Sequence, residues 1–214
     1  MANLIRNLID ARDYTGLQQA LLRDPGLANA GIPYDDVNTA LAHPLHRVCD
    51  AVFEKKLSED EAIKIAKIFL EYGGNINGNE QVNMRDTPLI AAASMYADEV
   101  AVFYLDNGAD VHHQGCHGGT ALHWAAWCGR DRVVRRLIES GADVNKLCVD
   151  FKATPLFWAV HGLTKGGQGN IHNQRTCAEF LSQSGADKHI PNGDGHTIFD
   201  LLGDLDEEWR SILR

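Results

Sequence analysis

Gly119-Thr120-Ala121-Leu122-His123-Trp124-Ala125-Ala126-Trp127-Cys128-Gly129-Arg130, followed by Val133-Val134 and Gly141-Ala142-Asp143-Val144-Asn145, is the stretch that decides how the chain folds. A threonine ahead of an apolar run accepts a hydrogen bond from a free first-turn N–H, so Thr120 opens a helix. Val133, Val134, Leu137 and Ile138 then fall on one apolar stripe of a second helix. Gly141 supplies the left-handed residue that stops it. Asp143-Val144-Asn145 continues as a short extended piece running into a turn.

The pattern recurs on both sides. Thr87-Pro88-Leu89 begins 33 residues before Thr120, and Thr154-Pro155-Leu156 begins 34 residues after it. Proline just inside a helix costs nothing, because its missing N–H would be unpaired there. Weaker copies stand at His43-Pro44-Leu45 and Thr197-Ile198-Phe199. The closing marker repeats as Gly73-Gly74-Asn75, Gly108-Ala109-Asp110 and Gly185-Ala186-Asp187. From opening residue to closing glycine the span is 21 residues in the two middle copies, but 30 and 31 in the flanking ones. The flanking copies therefore each carry an insertion of nine or ten residues. One such helix-turn-helix-hairpin unit cannot bury its stripe alone, so the units must stack.

These residues resemble the ankyrin repeat almost position for position over 119–145, well over 86–114, and more loosely over 43–78 and 152–191. Tyr14 to Ala30 resembles the second half of an N-terminal repeat. Asp194-Gly195-His196-Thr197, with Phe199 and Leu201-Leu202, is similar to a C-terminal cap. The resemblance implies an all-α ankyrin-repeat solenoid of about six units in a single domain. It divides as an N-terminal cap repeat (1–33), a repeat with an inserted helix turn (34–78), repeats at 79–114 and 115–147, a repeat with a Gly-rich insertion (148–191) and a C-terminal cap (192–214). No residues are left for a separate catalytic domain. Arg136 departs from the pattern, standing where Ile68, Phe103 and Phe180 stand in the other copies. It is expected to snorkel along its stem or to pair with an acidic neighbour.

Composition narrows the function. The 214 residues hold 20 Lys+Arg against 29 Asp+Glu, a net charge of −9. A phosphate-backbone binder needs a basic face, so nucleic acid is excluded and a basic or mixed-charge protein partner is expected. Hydrophobic content of 44% and charged content of 23% are those of a folded chain. No apolar run approaches a membrane span, and no targeting segment is read at the N-terminus. The five cysteines, at 49, 116, 128, 148 and 177, are an odd number without C-x-x-C spacing and read as reduced thiols of a cytoplasmic protein, which is also expected to be monomeric.

His112, His113, Cys116 and His117 crowd one hairpin and invite a metal reading, yet no second half completes a tetrahedral pattern. They are expected as ordinary polar hairpin residues, with no metal and no cofactor. His123 is expected as a hydrogen-bonding strut between helix and hairpin. Lys165-Gly166-Gly167-Gln168-Gly169-Asn170 has the wrong order for a phosphate loop and no strand before it, so it reads as an insertion between helices. Nothing brings a nucleophile, a base and an orienting group together, so no enzyme is expected.

The resemblance also implies a concave face lined by the first helices. Its groove positions are Asp50-Ala51, Ser94-Met95, Trp127-Cys128 and His161-Gly162, with Arg47, Ala91, Trp124 and Trp158 one turn earlier. Three of the four tryptophans thus fall on two first helices, and binding hot spots are enriched in tryptophan. The expected partner-binding residues are Arg47, Asp50, Ser94, Met95, Trp124, Trp127, Cys128, Trp158 and His161. Both insertions fall between first and second helix. One, around Val52 to Glu61, is acidic at its end and carries the capping box Ser58-x-x-Glu61. The other, Leu163 to Arg175, is Gly-rich and cationic. Together they are expected to form an ordered acidic lip and a mobile cationic one.

The reading is a non-enzymatic protein-binding module, of adaptor, inhibitor or immunity type. The alternative is a small-molecule or metal-binding protein using the His/Cys-rich hairpin or the Gly-rich loop. Reductant is expected to leave melting temperature and oligomeric state unaltered. A defined intramolecular disulfide in protein freshly isolated from its native cells would overturn the localisation.

Overall fold

The computed structural model describes residues 2–33, 40–78, 85–165, 171–202 and 209. Ten of its helices run in pairs: α1 (Ala2–Asp10) with α2 (Tyr14–Arg23), α3 (Pro44–Phe53) with α4 (Glu59–Glu71), α5 (Pro88–Ser94) with α6 (Asp98–Asp106), α7 (Ala121–Trp127) with α8 (Asp131–Glu139), and α9 (Pro155–Lys165) with α10 (Ile171–Gln183). A short α11 (Ile198–Leu202) follows. One small antiparallel ladder joins β1 (Ile32–Pro33) to β2 (Leu41–Ala42), with Ile32 opposite Ala42.

The opening residues act as caps, each by its own chemistry. Thr87 Oγ1 accepts from the Ile90 N–H at 3.4 Å, and Thr154 Oγ1 accepts from Phe157 at 3.2 Å. His43, in the weaker copy, uses Nδ1 to accept from Leu45 at 3.2 Å. Ser58 and Glu61 form the full capping box, while at Thr197 the reverse half forms, its N–H and Oγ1–H donating to the Asp200 carboxylate at 2.6 and 2.8 Å. The glycines at 73, 108, 141 and 185 all sit at φ between 82° and 89°, ending their helices as the sequence requires.

The chain forms two compact units, residues 1–81 with 87–109 and residues 82–86 with 110–214. Inside each, first helices pack on first helices and second on second. In the first unit α1 lies against α3, α3 against α5, and α2 against α4, which in turn meets α6. In the second, α7 lies on α9, α8 on α10, and α11 covers α9. Ile9, Leu21, Leu45, Phe69 and Tyr104 are sealed in the first core, and Leu122, Val134, Leu137, Leu156 and Leu181 in the second. Each such side chain contributes about 1.5–3 kcal/mol of burial. Tyr104 adds a hydrogen bond, donating its hydroxyl to the Leu45 carbonyl at 2.7 Å.

The N-terminal segment holds more than the half repeat expected of it. α1 is amphipathic and buries Ile5 and Ile9, which makes a complete helix pair with α2. Arg136 takes the ion-pair option, meeting Glu139 at 3.4 Å with its side chain one-third exposed.

The first insertion does not project as a loop. Relative to the α5–α6 pair, α3 is three residues longer, α4 four longer, and the turn between them only two longer. Glu59 at its end reaches α6, whose N-cap is the side-chain-poor Ala97, and accepts from the Val100 N–H at 3.2 Å and from Glu99. Glu61 is held by Ser58 and by Arg12 at 2.8 Å. Glu59 and Glu61 thus serve the fold. In the second insertion Leu163–Lys165 and Ile171–Arg175 are helical, which corrects the expected loop at both flanks; 166–170 lie outside the described residues.

Because α11 buries Ile198 and Leu202 over α9, ending the chain after Pro191 is expected to lower the melting temperature by several degrees or to cause precipitation. An unchanged calorimetric melting curve would show that this segment is no cap.

Candidate functional site

The expected contact residues separate by unit. In the first, Arg47 is fully buried and Asp50 is 3% exposed. Arg47 meets Asp10 at 3.1 Å and Glu54 at 3.2 Å, and Lys56 bridges the same two carboxylates. Asp50 sits 3.6 Å from His46. Both side chains are committed inward, a correction to their expected place on an accessible groove. Ser94 and Met95 are half-buried at the end of α5, where Ser94 Oγ donates to the Ala91 carbonyl at 3.1 Å.

In the second unit Trp124 and Trp127, one turn apart on α7, meet Trp158 of α9. Their centroids lie 5.2 and 6.0 Å from that of Trp158, with interplanar angles of 80° and 72°. Such edge-to-face pairs contribute about 0.5–1.5 kcal/mol each beyond burial. Trp158 is 5% exposed and forms a floor, while Trp124, Trp127 and His161 are half-buried walls. His161 lies 5.0 Å from Trp127. Cys128 is 5% exposed and is not among the residues that line this space.

The pocket has a volume of about 510 Å³, and residues not expected from the sequence complete it: His117, Phe151, Ala153, Phe157, Asn192, Asp194, His196 and Leu201. Phe151 is held 5.3 Å from His117, which binds Asp150 at 2.9 Å. Gly118, at φ +64°, makes this possible, because a Cβ there would lie 2.3 Å from Val149. Gly119 leaves room for the indoles, since a Cβ would come within 3.2 Å of Trp158 and 3.3 Å of Trp124. The signal for Phe151 was present in the sequence. Leu147, Val149 and Phe151 alternate as exposed apolar residues at 40%, 44% and 50%, where a polar hairpin is the norm.

The His/Cys hairpin is occupied otherwise. His113 is hydrogen-bonded to the Arg85 carbonyl at 2.8 Å, the Cys116 N–H donates to Asp86 at 2.8 Å, and His117 is paired with Asp150. Burial and the Asp86 charge push the Cys116 thiol pKa up, away from nucleophilic character. Among the described residues no three His, Cys, Asp or Glu side chains are grouped to hold a metal ion.

A family model for ankyrin repeats, in three copies, matches residues 56–148. The crystal structure of EF0377, an ankyrin repeat protein, superposes over 100% of this chain and 97% of its own, with a TM-score of 0.73 and 25% identity. Residues 56–148 thus carry ankyrin repeats, and the chain has the ankyrin-repeat fold. Ankyrin repeat and SOCS box protein 16 of Homo sapiens is 34% identical over 65% of this chain and 30% of its own length. Palmitoyltransferase Hip14 of Drosophila melanogaster is 32% identical over 42% of this chain and 13% of its own. The chain thus spans less than a third of these curated relatives. Ankyrin repeats generally mediate protein–protein interaction, and the fold is typically a non-enzymatic module. No described helix is long and apolar enough to cross a membrane.

His123 is the strut the sequence implied. Its Nδ1 accepts from the Thr120 N–H at 3.1 Å and stands 2.9 Å from Thr120 Oγ1, while Nε2–H donates to the Ala153 carbonyl at 3.1 Å. Burial holds its pKa down at about 4, against 6.5 for a free histidine, and burial does the same to His43. The unfolded chain therefore binds protons that the folded chain refuses between those values. This stability is complete above pH 6.5 and lost as pH falls toward 4, on the order of 2–3 kcal/mol for each buried histidine. Urea melts of the parent and of His123→Gln at a series of pH values are expected to show a shallower acid slope in the variant. Equal slopes would refute the assignment.

Proposed function

We propose that the protein is a non-enzymatic binding module whose main contact surface is the indole-lined pocket of the second unit, with the apolar hairpin edge Leu147-Val149-Phe151 beside it. The observation that carries this reading is the assembly of Trp124, Trp127 and Trp158 around one open space of about 510 Å³. Large rigid aromatic side chains, partly exposed and clustered, are what protein interfaces use as anchors. The partner is a basic or mixed-charge protein, in keeping with the net charge of −9. Beside the pocket His117 is paired with Asp150 and the Cys116 thiol is pushed away from nucleophilic character, which supports a non-catalytic role. The six-unit division read from the sequence, with its boundaries, stays part of this proposal, as do a cytoplasmic location and a monomeric state. A small-molecule ligand is the second reading, favoured by a volume within the range of such sites and by His117 of the His/Cys hairpin on the wall.

Trp127→Ala is expected to weaken partner capture by about thirtyfold, near 2 kcal/mol. It removes ring contacts to Trp158 and His161 and so costs about 1 kcal/mol of stability. Leu137→Ala, in the sealed core, is expected to cost about 2–5 kcal/mol. Pull-downs from the native organism with quantified recovery, paired with calorimetry of both variants, check this. Full capture by a folded Trp127→Ala bait would move binding away from the pocket.

A further inference from the structure

The pocket has a polarity that its apolar lining conceals. Trp158 meets Trp124 and Trp127 at steep edge-to-face angles of 80° and 72°, and the three indoles line the enclosed space with ring edges and faces together. Those faces carry the negative side of the ring quadrupole. Asp194 stands on the wall in the turn that follows Asn192, its backbone N–H donating to the Asn192 side chain at 3.1 Å. Its carboxylate takes no hydrogen bond or ion pair among the described residues. Lys152, whose stem lies beside Gly193, makes no ion pair with it. The second nearby carboxylate, Asp150, is engaged by His117. Among the described residues no lysine or arginine lines the pocket. Electron-rich indoles, one unengaged carboxylate and the absence of lysine and arginine among the described lining residues together favour a cationic guest.

The shape of the space discriminates among cations. A compact ammonium is too small to touch indole walls across about 510 Å³ and is strongly hydrated. A guanidinium is flat, weakly hydrated, stacks on indole faces and presents paired N–H donors that match one carboxylate. We propose that the pocket receives an arginine side chain of the partner protein, its guanidinium lying against the indoles of Trp124 and Trp127 and donating to the Asp194 carboxylate. This inference rests on the interface reading above and adds the chemistry of the residue that the partner must present. The acidic chain as a whole favours approach of a basic partner surface.

The test uses the full chain labelled with nitrogen-15 at tryptophan, in which Trp209, absent from the pocket lining, serves as the internal reference. It is titrated with N-acetyl-arginine methylamide, which mimics an arginine within a chain because it lacks both terminal charges. The expected result is a saturable shift of the Trp124, Trp127 and Trp158 indole signals in the range of ~1–10 mM, with Trp209 unmoved. N-acetyl-lysine methylamide and N-acetyl-norleucine methylamide are each expected to bind at least about fivefold more weakly, and Asp194→Asn to weaken the arginine probe about tenfold. Equal shifts from norleucine would make the pocket merely apolar. An unchanged affinity in Asp194→Asn, or no shift at tens of millimolar arginine probe, would also overturn the inference. Its failure is separable from that of the interface reading. Partner capture that depends on Trp127 without any response to the arginine probe leaves the interface standing and removes the arginine. A response to the probe with capture indifferent to Trp127→Ala removes the interface and, with it, the partner as the source of the arginine.

Discussion

A single carboxamide sets the spacing between neighbouring repeats, and it does so in both compact units. Asn29 donates to the Gly73 carbonyl at 2.9 Å and accepts from the Asn75 N–H at 2.7 Å. Asn145 repeats the arrangement on Gly185 and Asp187 at 3.1 and 2.7 Å. The turn after each second helix carries backbone groups that no helix satisfies, and the preceding turn supplies both partners from one side chain. An amide offers a donor and an acceptor on neighbouring atoms, where an aspartate could only accept. With that distance fixed, first helices fall opposite first helices and second opposite second, and the apolar stripes close on one another.

The same economy explains how the flanking repeats absorb their extra residues. Long insertions in turns are cheap in free energy, so a floppy loop would have been tolerated. The first insertion instead lengthens both of its helices, and its leading carboxylate, Glu59, caps the neighbouring helix at Ala97, a position unable to cap itself. What reads as an acidic surface lip is a structural graft from one repeat to the next.

The fold was legible because its instructions are local. Threonine or histidine before Pro-Leu, the Ser58–Glu61 box and a glycine at the ends of α4, α6, α8 and α10 depend on residues within a few positions of each other. The site was legible in part. Trp124, Trp127, Trp158 and His161 share a pocket as the repeat alignment implied. Arg47 and Asp50 occupy the same alignment columns as contact residues, yet Arg47 is drawn inside by Asp10, which lies 37 residues away. Periodicity carries no information about such a partner. Phe151 and Asp194 come from separate turns and reach the pocket only through stacking, although the apolar alternation over 147–151 was a usable clue.

The two units also differ in their optical content. All five tyrosines, at 14, 34, 72, 96 and 104, belong to the first unit, and all four tryptophans, at 124, 127, 158 and 209, belong to the second. Light absorbed selectively by indole therefore reports on the second unit alone, and chiefly on the pocket, where the rings are close enough to exchange excitation. Far-ultraviolet dichroism, by contrast, sums the helices of both. Any divergence between the two signals during denaturation would be a direct record of one unit opening while the other holds, written into the chain without a single added label.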